Sequence, residues 1–449
     1  MRSREGAGGD RRLVTRGLSR AGIGYPLSIG LLFASQVLVA NLIEPSAFGS
    51  YNVAVSVFTV AALIAQLGLP QTLLRRAATA LSKRDEHEAR HEIVSALAVA
   101  LGAALVCGAL LGSPLGEELF QFAFPRTALA TVSALVGIKA GLRVLENIVP
   151  EALRAFRDYS RATIFGQLLT NLGLCVVLGV LLAISADVNL EDVLLASVIV
   201  SAAALIPGAF AVAAKLRPTR AAGISFRQPV EPALWLSTVG LALVAQLDML
   251  VVGSLGSARD VALYGAPFRL GMLVGLPLIV VNQVVTPLIA GWHSQAMTQR
   301  IERTLRATAG VALIGACLLA VIYLVAGRQI LEALFGAFYG DGWWVLVILS
   351  VGQIIQTFAG SCGFALLMTG NHRAYAVIVA VSMPVTLALQ VVGFELGGIE
   401  GLAIATAVKL ALQNAAQLIV IRRRAGFSTR ADLRAVLTEV RDMRRRSGH

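Results

Sequence analysis

Apolar runs of about 18 to 26 residues recur from one end of the chain to the other, and no loop between them exceeds about 20 residues. Each run can cross about 30 Å of hydrocarbon at about 1.5 Å per residue. Lipid offers no water to an unpaired N–H or C=O, so segments of this kind fold as helices, which pair their backbone internally. About twelve spans are expected, at approximately 18–43, 51–74, 92–112, 127–149, 162–184, 191–214, 233–255, 261–289, 307–327, 343–368, 375–395 and 400–421. Composition agrees: the 449 residues are 57% hydrophobic and 14% charged, against roughly 25% charged in soluble domains. The chain reads as an all-α integral membrane protein with no soluble domain inserted.

Charge then orients the spans. About 31 of the 38 Lys and Arg fall in the tails and in alternate loops such as RRAATALSKRDEHEAR, LRAFRDYSR and KLRPTRAAGISFR, which the positive-inside rule places in the cytoplasm. The opposite loops hold Arg126, Arg259 and Arg328. Both termini are expected inside, with the first span uncleaved behind Arg11, Arg12, Arg16 and Arg20. The net charge of +12 is therefore a topology signal, and nucleic acid is a poor partner, because the basic clusters are scattered loop ends without interleaved aromatic residues.

The longest cytoplasmic connection separates two six-span halves. The expected organisation is a basic lead at 1–17, a first bundle at 18–214, a linker at 215–232, a second bundle at 233–421 and a basic tail at 422–449. Near-equal offsets align Tyr264 with Tyr51, and Arg373 and Tyr375 with Arg157 and Tyr159, as a parallel duplication would. In the tail, Leu433, Val436, Leu437 and Val440 recur at helical spacing. That pattern fits an amphipathic helix on anionic headgroups or a solvated charged segment.

Six ionisable residues lie at least three residues in from the ends of the spans: Lys139, Arg143, Arg269 and Lys409 against Glu146 and Asp248. A charge at a helix centre costs roughly 2.5 to 3.5 kcal/mol on insertion scales, so each should face a cavity or a partner. In GIKAGLRVLENIVPEAL, Lys139, Arg143 and Glu146 share one helix face. Glu146 can pair with Arg143, leaving Lys139 without an obvious local partner; snorkelling is the plainer account of Arg143 and Glu146. Asp248 and Arg269 fall at similar depths on successive helices and are expected to pair, with a proton-coupling role for Asp248 as the alternative. Lys409, Gln413 and Gln417 recur on one face of the last span. They and other intramembrane amides, such as Gln36, Gln66, Asn171, Asn282, Gln353 and Gln356, either line a wet path or hold helices together.

Catalysis has little support. Cys107, Cys175, Cys317 and Cys362 are isolated in separate spans, without metal or disulfide spacing. HEARH at 87–91 matches the zinc-protease pattern, but a charged loop makes it by chance and no further His lies in a span to complete a site. No metal, cofactor or catalytic residue is expected.

Several stretches together resemble the polysaccharide and oligosaccharide flippases of the multidrug/oligosaccharidyl-lipid/polysaccharide exporter superfamily. LIEPSAFGSYNVAVSV is similar to that family's entry into its second helix, and QLGLPQTLLRRAA to the exit. DMLVVGSLGSARDVALYGAPFRL resembles its Asp-headed seventh helix and the Tyr that opens the eighth. LFGAFYGDGWWVL and LLMTGNHRAYA resemble the loops bounding the tenth. The resemblance implies two pseudo-symmetric six-helix bundles around a central cavity opening alternately to either side. It implies a lipid-linked oligosaccharide on polyprenyl pyrophosphate as cargo, moved to the outer leaflet of a bacterial inner membrane. Membrane lipids, a polysaccharide polymerase and glycosyltransferases would be its partners. On that reading Lys139 and Arg143 form a cationic ladder for the pyrophosphate, with Lys409, Arg269, Gln413 and Gln417 as further contacts. The rivals are a cation-coupled drug exporter of the same superfamily, expected to hold more intramembrane acid than base, and a polymerase or ligase, expected to carry a large outer loop with catalytic Arg.

Overall fold

The computed structural model describes residues 27–83, 85–185, 187–216, 232–295 and 297–432. Residues 1–17, the interior of the linker at 217–231 and the tail positions Leu433, Val436, Leu437 and Val440 lie outside the described residues. The chain divides into two compact units, Met1–Ala242 and Leu243–His449. The division falls inside a helix that the expected boundary at 233 assigns whole to the second bundle.

In the first unit, α1 (Leu27–Leu42), α2 (Pro45–Ala65), α3 (Leu69–Ser82), α4 (Glu86–Gly112), α5 (Pro114–Ala123), α6 (Ser133–Ala155), α7 (Tyr159–Thr163), α8 (Leu169–Ala183) and α9 (Leu190–Lys215) run in order. α10 (Pro232–Leu255) crosses into the second unit, which continues with α11 (Ala258–Val274), α12 (Leu276–Ser294), α13 (Thr298–Phe335), α14 (Trp343–Ala359), α15 (Cys362–Met368) and α16 (His372–Ala425). Every described regular element is helical.

Seven helical segments are long and apolar enough to span a membrane, two of them the continuous runs Tyr159–Ala183 (α7 with α8) and Ala337–Met368 (through α14 and α15), or eight when the bent pair Ala258–Val274 and Leu276–Asn282 counts as one. The gap from the expected twelve has identifiable causes. α16 is two spans run together, broken at Gly397 and Gly398 where the backbone leaves helical geometry. α6 carries the Lys139, Arg143 and Glu146 charges. Leu27–Leu42 and Ala242–Leu255 are shorter apolar helices within the described residues. Counted with these, the expected order of twelve is present.

Local chemistry starts and stops the helices. Asp85 caps α4 by accepting from Glu88 N at 2.9 Å. Asn189 with Asp192, and Ser257 with Asp260, form reciprocal capping boxes on α9 and α11. α16 ends at Gly426 in the left-handed conformation, with Arg422, Arg423 and Arg424 in its last turn against the negative end of the helix dipole.

Small residues bring α4 and α6 into backbone contact in the first unit. A Cβ on Gly137 of α6 would lie 2.5 Å from the Gly108 carbonyl of α4, and one on Gly141 would lie 2.7 Å from that of Ala104. Gly108 and Gly112 on α4 and Gly137 and Gly141 on α6 are each spaced by four, the small-xxx-small arrangement that lets helix backbones touch where hydrocarbon supplies no hydrophobic drive. Leu73, Ile93, Val144, Ile148, Leu153 and Val212 fill the adjoining core. Leu105, Phe210, Val325 and Leu396 point outward, a distribution that suits lipid rather than water.

The second unit is closed at one end by its own C-terminal segment. Phe427 joins Ile301, Leu305 and Ile421 in the core. Thr429, buried, donates to the Ala359 carbonyl at 2.7 Å. Arg306 pairs with Asp432 at 2.6 Å. The start of the expected cytoplasmic tail is therefore part of the bundle.

Candidate functional site

Each unit buries a lysine against a carboxylate. On α6, Lys139, Arg143 and Glu146 do share a face, but their pairing differs from the sequence expectation. Glu146 serves both cations: Oε1 accepts from Lys139 Nζ at 3.2 Å and Oε2 from Arg143 Nη1 at 3.0 Å. Lys139 therefore has a local partner after all. The i, i+7 separation spans two turns, and the reach of both side chains closes it.

Other helices fix Lys139 in place. Its ammonium donates to Ser201 Oγ on α9 and lies 5.8 Å from the ring centroid of Phe58 on α2. Lys139 is 6% exposed and Glu146 4%, whereas the Arg143 side chain keeps 22%. Burial argues against snorkelling for Glu146, whereas Arg143 keeps the partial exposure that snorkelling needs. The cluster holds two cations and one anion, so its formal charge is about +1, in surroundings where charges are weakly screened.

In the second unit Asp248 of α10 does not take Arg269 as its described ion partner. Its partner is Lys409, whose Nζ lies 3.4 Å from Asp248 Oδ1 and donates to the Val244 carbonyl at 3.3 Å. Asp248 Oδ1 also accepts from Gln390 Nε2 and from Thr406 Oγ1 at 3.1 Å. The Tyr264 hydroxyl of α11 lies 3.4 Å from the same threonine oxygen. Arg269 sits half-buried on α11. Similar depth does not fix azimuth, and side chains 100° apart per residue need not meet.

The break in α16 assembles this cluster. Gln390 precedes Gly397 and Gly398, while Thr406 and Lys409 follow them, and a Cβ on Gly401 would lie 1.9 Å from the Gly393 carbonyl. The two halves touch backbone to backbone and deliver their polar side chains to one carboxylate. Gln417, on the Lys409 face, is buried and accepts from the Cys362 thiol at 3.1 Å, so it joins α16 to α15. Gln413 is half-buried on α16. Asn171 donates to the Ser28 carbonyl at 3.1 Å, tying α8 to α1, and Asn282 accepts from Ser361. These amides hold helices together.

Ser201, Phe58, Gln390 and Thr406 were not distinguishable by sequence. Ser201 and Thr406 are ordinary helix residues whose hydroxyls usually bond their own backbone. Gln390 stands alone in an apolar run, a weak signal shared by many intramembrane amides. His87 and His91 occupy the first turns of α4, and among the described residues no three His, Cys, Asp or Glu side chains converge on a metal-sized site.

Residues 16–293, well over half of the chain, match the model of the polysaccharide biosynthesis protein family, and the chain belongs to that family. Its fold is that of the MOP superfamily of multi-pass membrane proteins. An inward-facing multidrug resistance MATE family transporter of that superfamily superposes with a TM-score of 0.75 at 16% identity, covering 89% of this chain and 94% of the other. A MOP superfamily transporter from Pyrococcus furiosus, described by a binding pocket of reversed polarity that suggests a different function, gives 0.62 at 16% identity, covering 92% and 95%. No curated protein matches the sequence.

Proposed function

We propose that the protein translocates a polyprenyl-pyrophosphate-linked oligosaccharide from the cytoplasmic to the outer leaflet of a bacterial inner membrane, by alternating access, for lipopolysaccharide or exopolysaccharide assembly. Both termini lie in the cytoplasm, as the distribution of basic residues favours. Lipid-linked oligosaccharide is the cargo, and glycosyltransferases and a polymerase act before and after it. The observation that carries the reading is the excess of base away from the span ends: Lys139, Arg143, Arg269 and Lys409 against Glu146 and Asp248.

That excess suits an anionic headgroup. A pyrophosphate cannot enter hydrocarbon without fixed positive charge, and Lys139 and Arg143, separated by about 6 Å along the helix axis, present two successive sites. Lys409 and Arg269 supply cations in the second unit, with Gln413 and Gln417 as neutral polar contacts. Membership in a polysaccharide biosynthesis family supports the sugar portion of the cargo.

The second reading is a multidrug exporter, favoured by the MATE relatives of the same fold. Asp248 would then be its cation-coupling acid, but Lys409 already neutralises that carboxylate. The pocket of reversed polarity in the Pyrococcus protein is a precedent within the fold for a change of cargo. The deciding experiment is flipping of a fluorescent polyprenyl-pyrophosphate sugar in proteoliposomes by wild type, Lys139→Gln, Arg143→Gln and the double variant at equal reconstituted amounts. Loss of flipping by normally folded variants supports the reading, and wild-type flipping by the double variant ends it.

A further inference from the structure

We propose that Glu146 is an internal competitor for the anion that the α6 cations bind, and that it selects a diphosphate over singly charged anions. The proposal rests on the reading of Lys139 and Arg143 as diphosphate ligands. One carboxylate spans both cations, with Oε1 at 3.2 Å from Lys139 Nζ and Oε2 at 3.0 Å from Arg143 Nη1. It therefore occupies the place that a bidentate anion would take.

The competition discriminates by charge and by shape. Chloride brings one charge and one point of contact, so displacing Glu146 would exchange one anion for another and leave a carboxylate, now 4% exposed, without its cations. Stranding a buried charge in this way is strongly unfavourable. A diphosphate offers an anionic oxygen from each phosphoryl group, one to each cation, and carries at least one charge more than the carboxylate it replaces. Only a ligand of that kind recovers both contacts. Exchange begins at Arg143, whose side chain is the accessible one, and Lys139 is reached second. Glu146 thus keeps the carrier from binding the small anions that surround it.

The test uses purified full-length protein in detergent, titrated by calorimetry with inorganic pyrophosphate and separately with chloride. Glu146→Gln is expected to bind pyrophosphate about tenfold or more tighter than wild type, as removal of a close buried competitor requires. It should also acquire a chloride response that wild type lacks. A folded Glu146→Gln protein with wild-type pyrophosphate affinity and no chloride response overturns the proposal. Where Glu146→Gln does not fold, Glu146→Asp keeps the charge but is too short to span both cations. It should show intermediate tightening, and unchanged affinity there is equally damaging. Lys139→Gln with Arg143→Gln separates the two layers. Pyrophosphate binding that survives this double substitution removes the underlying reading, whereas binding lost in it but unaltered by the Glu146 variants removes the competitor alone.

Discussion

Breaking the Asp248–Lys409 pair from either side should cost unequal amounts, because the two ions have unequal reserves. Asp248 is 2% exposed and Lys409 7%, so neither is rescued by solvent. In Lys409→Met the carboxylate keeps two neutral donors, Gln390 and Thr406. In Asp248→Leu, which removes both carboxylate oxygens, the ammonium keeps only the Val244 carbonyl at 3.3 Å among its described acceptors. Removing one partner of a buried pair costs about 3 to 5 kcal/mol, and these reserves place Lys409→Met near about 3 and Asp248→Leu near about 5. The combined variant leaves no stranded charge and should recover at least about 2 kcal/mol of the sum of the two losses. Cys362, buried in the second unit, and Cys107, buried in the first, report opening of each bundle when a thiol-reactive dye is added during thermal unfolding. Half-buried Cys175 and exposed Cys317 are first changed to Ser. Cys362 should label earlier in both single variants while Cys107 holds its wild-type midpoint. Additive losses in the combined variant, or equal advances at both cysteines, would refute the assignment of Lys409 as the partner of Asp248.

Four further substitutions have expected outcomes. Gly137→Ala should lower the Cys107 midpoint, because its Cβ would sit 2.5 Å from the Gly108 carbonyl and force α4 from α6, an overpacking cost of about 1 to 3 kcal/mol. Ser201→Ala removes the hydroxyl that joins Lys139 to α9 and should destabilise the first unit by about 1 to 2 kcal/mol, with a smaller loss of flipping than Lys139→Gln. Thr429→Val should release the C-terminal segment, read as lost hydrogen-exchange protection at Ala431 and Asp432, whose amides bond the Phe358 and Arg306 carbonyls at 2.8 and 3.2 Å. Gly360→Ala should do the same by placing a Cβ 2.4 Å from the Thr429 carbonyl.

Spans, their order and the identity of the buried ions were legible along the chain, because apolar run length and the cost of a charge in lipid are properties of a segment by itself. The shared face of Lys139, Arg143 and Glu146 was legible for the same reason, since helical periodicity alone places them together. Partner choice was not. Lys409 reaches Asp248 because α16 breaks at Gly397 and Gly398 and doubles back, bringing residues 390 and 409 to one carboxylate from two helix halves. The close approach of Gly137 on α6 to Gly108 and Gly112 on α4 depends on which helices pack together, so only the tertiary structure shows it. Ser201 is an inconspicuous hydroxyl in an apolar helix until packing sets it beside Lys139. Depth in a membrane is written locally, by counting residues from a span's end; azimuth and neighbour depend on how whole helices pack, and that is settled only by the tertiary structure.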